Sequence, residues 1–171
     1  GSTVNVTANE EPKEAYKQEK GMRLSYSIPG DEQTISFDAN GGSGTMESVS
    51  VQKGTQYTLP ECGFDAPEGS EFQGWKNSIG NIFQPGSQFT VQGPQTFTAS
   101  WSKLSFNVNA SASVSEGGTV TGDGSYEYGT NVTVKAVPSE GYVFESWTED
   151  GAVVSTEAEY SFTANKDRDL T

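Results

Sequence analysis

The sequence predicts a mainly β fold made of two tandem small domains, and three observations predict it. Thr, Ser and Gly are frequent, with Val and aromatic residues set among them, which is the composition of short strands and turns. Strand-like runs return at roughly 8–12-residue spacing with turn signals between them. One pattern also occurs twice, about 73 residues apart. Gly54-Thr55-Gln56-Tyr57-Thr58-Leu59 returns as Gly129-Thr130-Asn131-Val132-Thr133-Val134. Glu68-Gly69, Phe72 and Trp75 return as Glu140-Gly141, Phe144 and Trp147. Phe89-Thr90 returns as Phe162-Thr163, and Phe97-Thr98 as Leu170-Thr171. The chain therefore divides into residues 1–33, a first unit at 34–103 and a second at 104–171. Lys103-Leu104 leaves almost no linker, so the units are expected to stack closely.

Residues 1–33 fit neither unit. They read as an N-terminal linker or the tail of a preceding domain; Glu10 to Lys20 is dense in charge and has only Ala15 and Tyr16 to bury, which predicts linker or at most a short helix. Met22 to Ile28 alternates strictly and predicts a strand before the turn at Pro29-Gly30. In the first unit, Thr34 to Asp38 alternates and ends at Asn40-Gly41, a hairpin signal. Val49 and Val51, Tyr57 and Leu59, Phe72 to Lys76, Ile82-Phe83, Gln88 to Val91 and Thr96 to Trp101 supply the following strands. Glu61 to Gly69 is the one helix-like gap. The second unit predicts strands at Leu104 to Ala110, Gly118 to Val120, Tyr126 to Tyr128, Asn131 to Val137, Tyr142 to Thr148, Tyr160 to Thr163 and from Leu170 onward. It stops at the counterpart of Thr98, whereas the first unit continues through Ala99-Ser100-Trp101. The alignment thus predicts a last strand truncated by about three residues.

The repeated Glu-Gly-x-x-Phe-x-x-Trp pattern has two readings: a core motif or a displayed aromatic platform. In a regular strand Phe72 and Trp75 point to opposite faces. Gly74 marks a bulge that would bring both to one face. Ser146 matches it in size but lacks its conformational freedom. A unit of about 70 residues without a disulfide has little core to spare. Burying one large side chain contributes roughly 1.5–3 kcal/mol, so Trp75 and Trp147 are expected inside.

The motifs then become specific. Phe37-Asp38-Ala39-Asn40-Gly41-Gly42, Lys53-Gly54-Thr55-Gln56-Tyr57-Thr58-Leu59-Pro60, Phe72-Gln73-Gly74-Trp75 and Thr98-Ala99-Ser100-Trp101 resemble the internalin B-repeat family, also called the Listeria–Bacteroides repeat. Gly117-Gly118-Thr119-Val120, Tyr126-Glu127-Tyr128-Gly129-Thr130 and Gly141 to Trp147 resemble its divergent branch, without the usual closing aromatic. The resemblance implies a β-grasp, ubiquitin-like architecture in tandem modules of bacterial surface or secreted proteins. It brings no catalytic residues. The strand pattern alone also allows immunoglobulin-like β-sandwiches.

Composition bounds the chemistry. Ten Lys and Arg against 23 Asp and Glu give a net charge of −13, which repels nucleic-acid phosphates and anionic membranes. No apolar run approaches the roughly 18 residues of a membrane span. No histidine is present, so imidazole-based triads and common zinc sites are excluded. Cys62 has no partner for a disulfide, and neighbouring Glu61 and Asp65 disfavour a thiolate. The carboxylate pairs Glu10-Glu11, Asp31-Glu32 and Glu149-Asp150 fall at expected turns or linkers and read as solvated charge. Asp167-Arg168-Asp169 and Thr121-Gly122-Asp123-Gly124 lack the spacing of a calcium loop. Gly41-Gly42-Ser43-Gly44 lacks the Lys-Ser/Thr of a phosphate loop. Asn5-Val6-Thr7, Asn109-Ala110-Ser111 and Asn131-Val132-Thr133 match glycan sequons. A Lys–Asn isopeptide crosslink would need a buried Lys.

Gly1-Ser2 resembles a cloning remnant, so the chain reads as a piece of a larger protein. The expectation is a non-catalytic, monomeric structural or interaction module, a stalk or adhesive region, outside the cell at the surface or cell wall. It needs no cofactor, metal, nucleic acid or membrane insertion. The alternative is an accessory module that binds a glycan or a host protein.

Overall fold

The computed structural model describes residues 31–171. The strand expected at Met22 to Ile28 and the charged stretch from Glu10 to Lys20 lie outside the described residues. The first repeat contains β1 (Glu32–Asp38), β2 (Val49–Gln52), β3 (Gln56–Thr58), β4 (Ser70–Lys76), β5 (Ile82–Phe83), β6 (Gln88–Thr90) and β7 (Gln95–Lys103). Five of these form one sheet in the order β2-β1-β7-β4-β5, while β3 and β6 pair separately. The central pair, β1 with β7, is parallel, and the flanking pairs are antiparallel.

The second repeat contains β8 (Ser105–Ala110), a single 3-10 turn (Ser115–Gly117), β9 (Gly118–Thr121), β10 (Gly124–Glu127), β11 (Asn131–Pro138), β12 (Trp147–Glu149), β13 (Ala152–Ser155), β14 (Glu159–Thr163) and β15 (Arg168–Leu170). Its sheets are β10-β8-β15, β14-β11-β9 and β12-β13. The repeat relation holds down to single hydrogen bonds. Phe37 pairs with Phe97 in the parallel β1–β7 ladder, and their counterparts Ala110 and Leu170 pair in the parallel β8–β15 ladder. Thr55 N–H donates to Gln52 O, and Thr130 N–H to Glu127 O. Gly54 N–H donates to Val91 O, and Gly129 N–H to Ala164 O. Gly54 and Gly129 share a left-handed φ, +84° and +83°.

Each repeat has its own apolar cluster. The first gathers Ile35, Leu59, Trp75, Val91, Phe97 and Ala99. The second gathers Val108, Val132, Val134, Trp147, Ala164 and Leu170. Alternation produces them: along β7, Phe97 and Ala99 are buried while Thr96 is exposed. Trp75 is 0% and Trp147 1% exposed. Phe72 and Trp75 do share a face, with ring centroids 5.1 Å apart. The register of β4 shifts between Phe72 and Gly74, and Gly74 has φ +142°. A Cβ there would sit 2.6 Å from Ile82 and 2.8 Å from the Phe83 carbonyl, so the bulge requires glycine.

The structure corrects several expectations. Glu61 to Gly69 is loop, not helix, and no α-helix occurs among the described residues. The parallel centre of the main sheet departs from the antiparallel sheets of an immunoglobulin sandwich. Glu32 belongs to β1, because Glu32 pairs with Gln52, so Asp31-Glu32 is not a turn pair. Asn40-Gly41 does turn the chain, with φ +47° and +90°, but ten residues separate β1 from β2 rather than a two-residue hairpin. Leu104 is a lone joining residue and not part of β8. Of the expected Tyr142-to-Thr148 strand only Trp147 and Thr148 fall in a strand, β12, and no strand is expected at β13.

Replacing either ring by alanine should destabilise its repeat by about 3–5 kcal/mol. Urea denaturation of Trp75→Ala and Trp147→Ala measures this. Native tryptophan fluorescence should resist iodide for both rings. A Trp75→Ala chain of full stability would falsify the core assignment.

Candidate functional site

Among the described residues, those singled out for chemistry are not brought together. Glu149 turns from Asp150 to Arg168: Arg168 Nε donates to Glu149 Oε1 at 3.0 Å and Nη2 to Oε2 at 2.8 Å. Both side chains are about one-tenth exposed. The guanidinium stacks on Phe162, 4.2 Å from the ring centroid, and Nη1 donates to the Tyr160 hydroxyl. This bidentate, partly covered pair ties β15 to β12 and β14. Arg168 holds the Glu149 carboxyl below the ordinary glutamate range.

Asp167 and Asp169 face other partners. Asp167 Oδ1 accepts the Asn107 backbone N–H at 2.8 Å, and Asp169 Oδ1 accepts Asn109 Nδ2 at 2.7 Å. The aspartates therefore fasten β15 to β8 and do not converge on a cation. Among the described residues no group of three His, Cys, Asp or Glu side chains is placed to hold a metal ion. Asp123 is exposed at the turn between β9 and β10. Cys62 is half-buried beside the aromatic cluster of the first repeat. No charged residue is buried among the described residues, so no lysine among them meets the isopeptide requirement.

One concave feature has apolar character. A groove of about 420 Å³ lies in the second repeat, where Val114, Val137, Tyr142, Val143, Phe144 and Trp147 contribute to its walls. Val143 is 90% exposed. The corresponding strip of the first repeat, from Ser70 to Gly74, is covered by Ser100 to Lys103 of β7. In the second repeat, Thr148 and Thr171 exchange two backbone hydrogen bonds, the equivalent of the Lys76–Thr98 pairing. The groove opens beside that pair. The sequence alignment anticipates the uncovered strip, because the second unit stops before the counterpart of Ala99-Ser100-Trp101.

Comparison with known families gives two matches. The Listeria-Bacteroides repeat domain matches residues 34–100, and the divergent InlB B-repeat domain matches residues 108–171. No curated protein and no solved structure matches the chain.

Two outcomes test this geometry. Because folding lowers the Glu149 pKa, its contribution to stability is present above the ordinary glutamate value and is lost as pH falls through the folded one. Glu149→Gln should therefore flatten the acid side of the stability profile, read as denaturation midpoint against pH. Appending Ala-Ser-Trp-Ser-Lys, the residues that follow Thr98, after Thr171 should cover the groove and raise the melting temperature. A gain of 1 kcal/mol corresponds to about 4–8 °C in a domain of this size. An unchanged melting temperature would contradict the equivalence of the two strips.

Proposed function

Because the chain carries a Listeria-Bacteroides repeat domain followed by a divergent InlB B-repeat domain, we propose that it is a non-catalytic structural and interaction module of a bacterial cell-surface or secreted protein. Repeat domains of this type occur in surface or secreted bacterial proteins and are generally non-catalytic structural modules. No helix among the described residues is long and apolar enough to cross a membrane.

The observation that carries the reading is the fate of the aromatic residues. Both repeated tryptophans are enclosed in their own repeat, so the most distinctive motif serves folding and not display. The module's contribution is then geometric. Small domains joined by one residue set a distance and an orientation for whatever lies beyond them, and the net charge of −13 opposes self-association, keeping the module monomeric. The site of action is the cell surface or cell wall.

A second reading is an accessory module that binds a glycan or a host protein, with Val143, 90% exposed, as the side chain to probe. One experiment separates the two. The repeats are placed between a wall-anchored base and a reporter epitope, and antibody access is compared with that across a Gly/Ser linker of equal residue number. The spacer reading expects access to depend on the folded repeats and no ligand to be retained on glycan and host-protein arrays. Equal access across the unstructured linker, together with saturable binding that Val143→Asp abolishes, would transfer the assignment to the accessory-module reading.

A further inference from the structure

The two repeats meet at a single residue whose backbone is committed on both sides. β7 ends at Lys103 and β8 begins at Ser105. Between them, Leu104 donates its N–H to Gly69 O at 2.8 Å, in the first repeat. Its carbonyl accepts the N–H of Tyr128 at 2.8 Å, in the second. Over this strip the Tyr128 ring lies against Gly69, and a Cβ on residue 69 would stand 2.1 Å from ring carbons. The Tyr128 hydroxyl donates to the Glu68 carboxylate, and Phe106 packs 6.4 Å from the ring centroid.

The second repeat supplies an internal comparison. Glu140-Gly141 is the counterpart of Glu68-Gly69, and both glycines are left-handed, with φ +86° and +67°. Above Gly141 there is nothing within 4 Å of the position a Cβ would take. Glycine at 141 thus answers only to its backbone conformation. Glycine at 69 answers to its conformation and to the ring of the neighbouring repeat.

We propose that Tyr128, seated on Gly69 and bonded to Glu68, is an orientation lock that makes the two repeats one rigid body about the Leu104 pivot. A one-residue connection restricts separation but leaves backbone torsions free to change the angle between domains. The ring closes that freedom, because rotation about Leu104 would drive it into the Glu68-Gly69 backbone or pull its hydroxyl away from the Glu68 carboxylate.

The test uses residual dipolar couplings from the whole chain, fitted to separate alignment tensors for residues 34–103 and 104–171. The native protein should give one shared tensor. Tyr128→Ala and Gly69→Ala should each lose it, giving two different tensors. Gly141→Ala carries the same left-handed penalty without the clash and should keep the shared tensor. Tyr128→Phe retains the ring and isolates the part played by the hydroxyl. Trp147 fluorescence confirms that the second repeat remains folded in each variant. Two tensors in the native chain, or a shared tensor retained in both Tyr128→Ala and Gly69→Ala, would overturn the lock. Either result leaves the surface-module reading standing, since that reading is decided by reporter access and ligand retention.

Discussion

An enclosed tryptophan ring is the constraint around which each repeat is organised. A unit of about 70 residues without a disulfide has a high surface-to-volume ratio, and its largest apolar side chain must lie inside. The indole then needs an acceptor for its one N–H. Trp75 Nε1 donates to Pro60 O at 2.9 Å, whereas Trp147 Nε1 reaches Ala158 O at 3.4 Å. The strands beside the two rings also differ. β3 ends at Thr58 after three residues, and Pro60, which lacks a ladder donor, follows it in irregular backbone. Its counterpart Lys135 continues the ladder, β11 runs for eight residues, and β9 is recruited beside it. The ring is common to both repeats, but the shell around it was rebuilt.

Much of the fold was legible because it is locally encoded. The recurrence of Gly54-Thr55 as Gly129-Thr130 marks equivalent positions, Thr96 to Trp101 reads as a strand, and Gly74 marks the bulge. What escaped depends on pairing at a distance. Tyr142 to Ser146 has the residues of a strand, but a strand needs a neighbour, and the first repeat supplies one through Ser100 to Lys103. β13 has adjacent Val153 and Val154 in place of clean alternation, so it gave no periodic signal. The Tyr128–Gly69 contact joins residues from different repeats, and no spacing rule within one repeat announces it. A partial signal existed: Glu-Gly recurs ahead of each Trp, yet only one copy faces a tyrosine.

The two repeats also fasten their last strands differently. β7 pairs along both edges, with β1 and with β4. β15 pairs with β8, and side chains add to that ladder. Arg168 reaches Glu149 on one side, while Asp167 and Asp169 take donors from β8 on the other. In so acidic a chain this Arg–Glu pair is notable for its cover by Phe162 and Tyr160, which limits the screening that weakens exposed pairs such as Lys135–Glu159.

The parallel β1–β7 pair has a mechanical consequence. The chain enters the first repeat along β1 and leaves along β7, and the two strands run in the same direction side by side. Tension applied to the two ends of the repeat therefore pulls these strands past each other along their length. The ladder between them is loaded in shear, with its hydrogen bonds sharing the force, and is not unzipped one bond at a time. β8 and β15 repeat the arrangement. The same topology sends the chain out at the end opposite to its entry, so each added copy lengthens the path instead of folding it back.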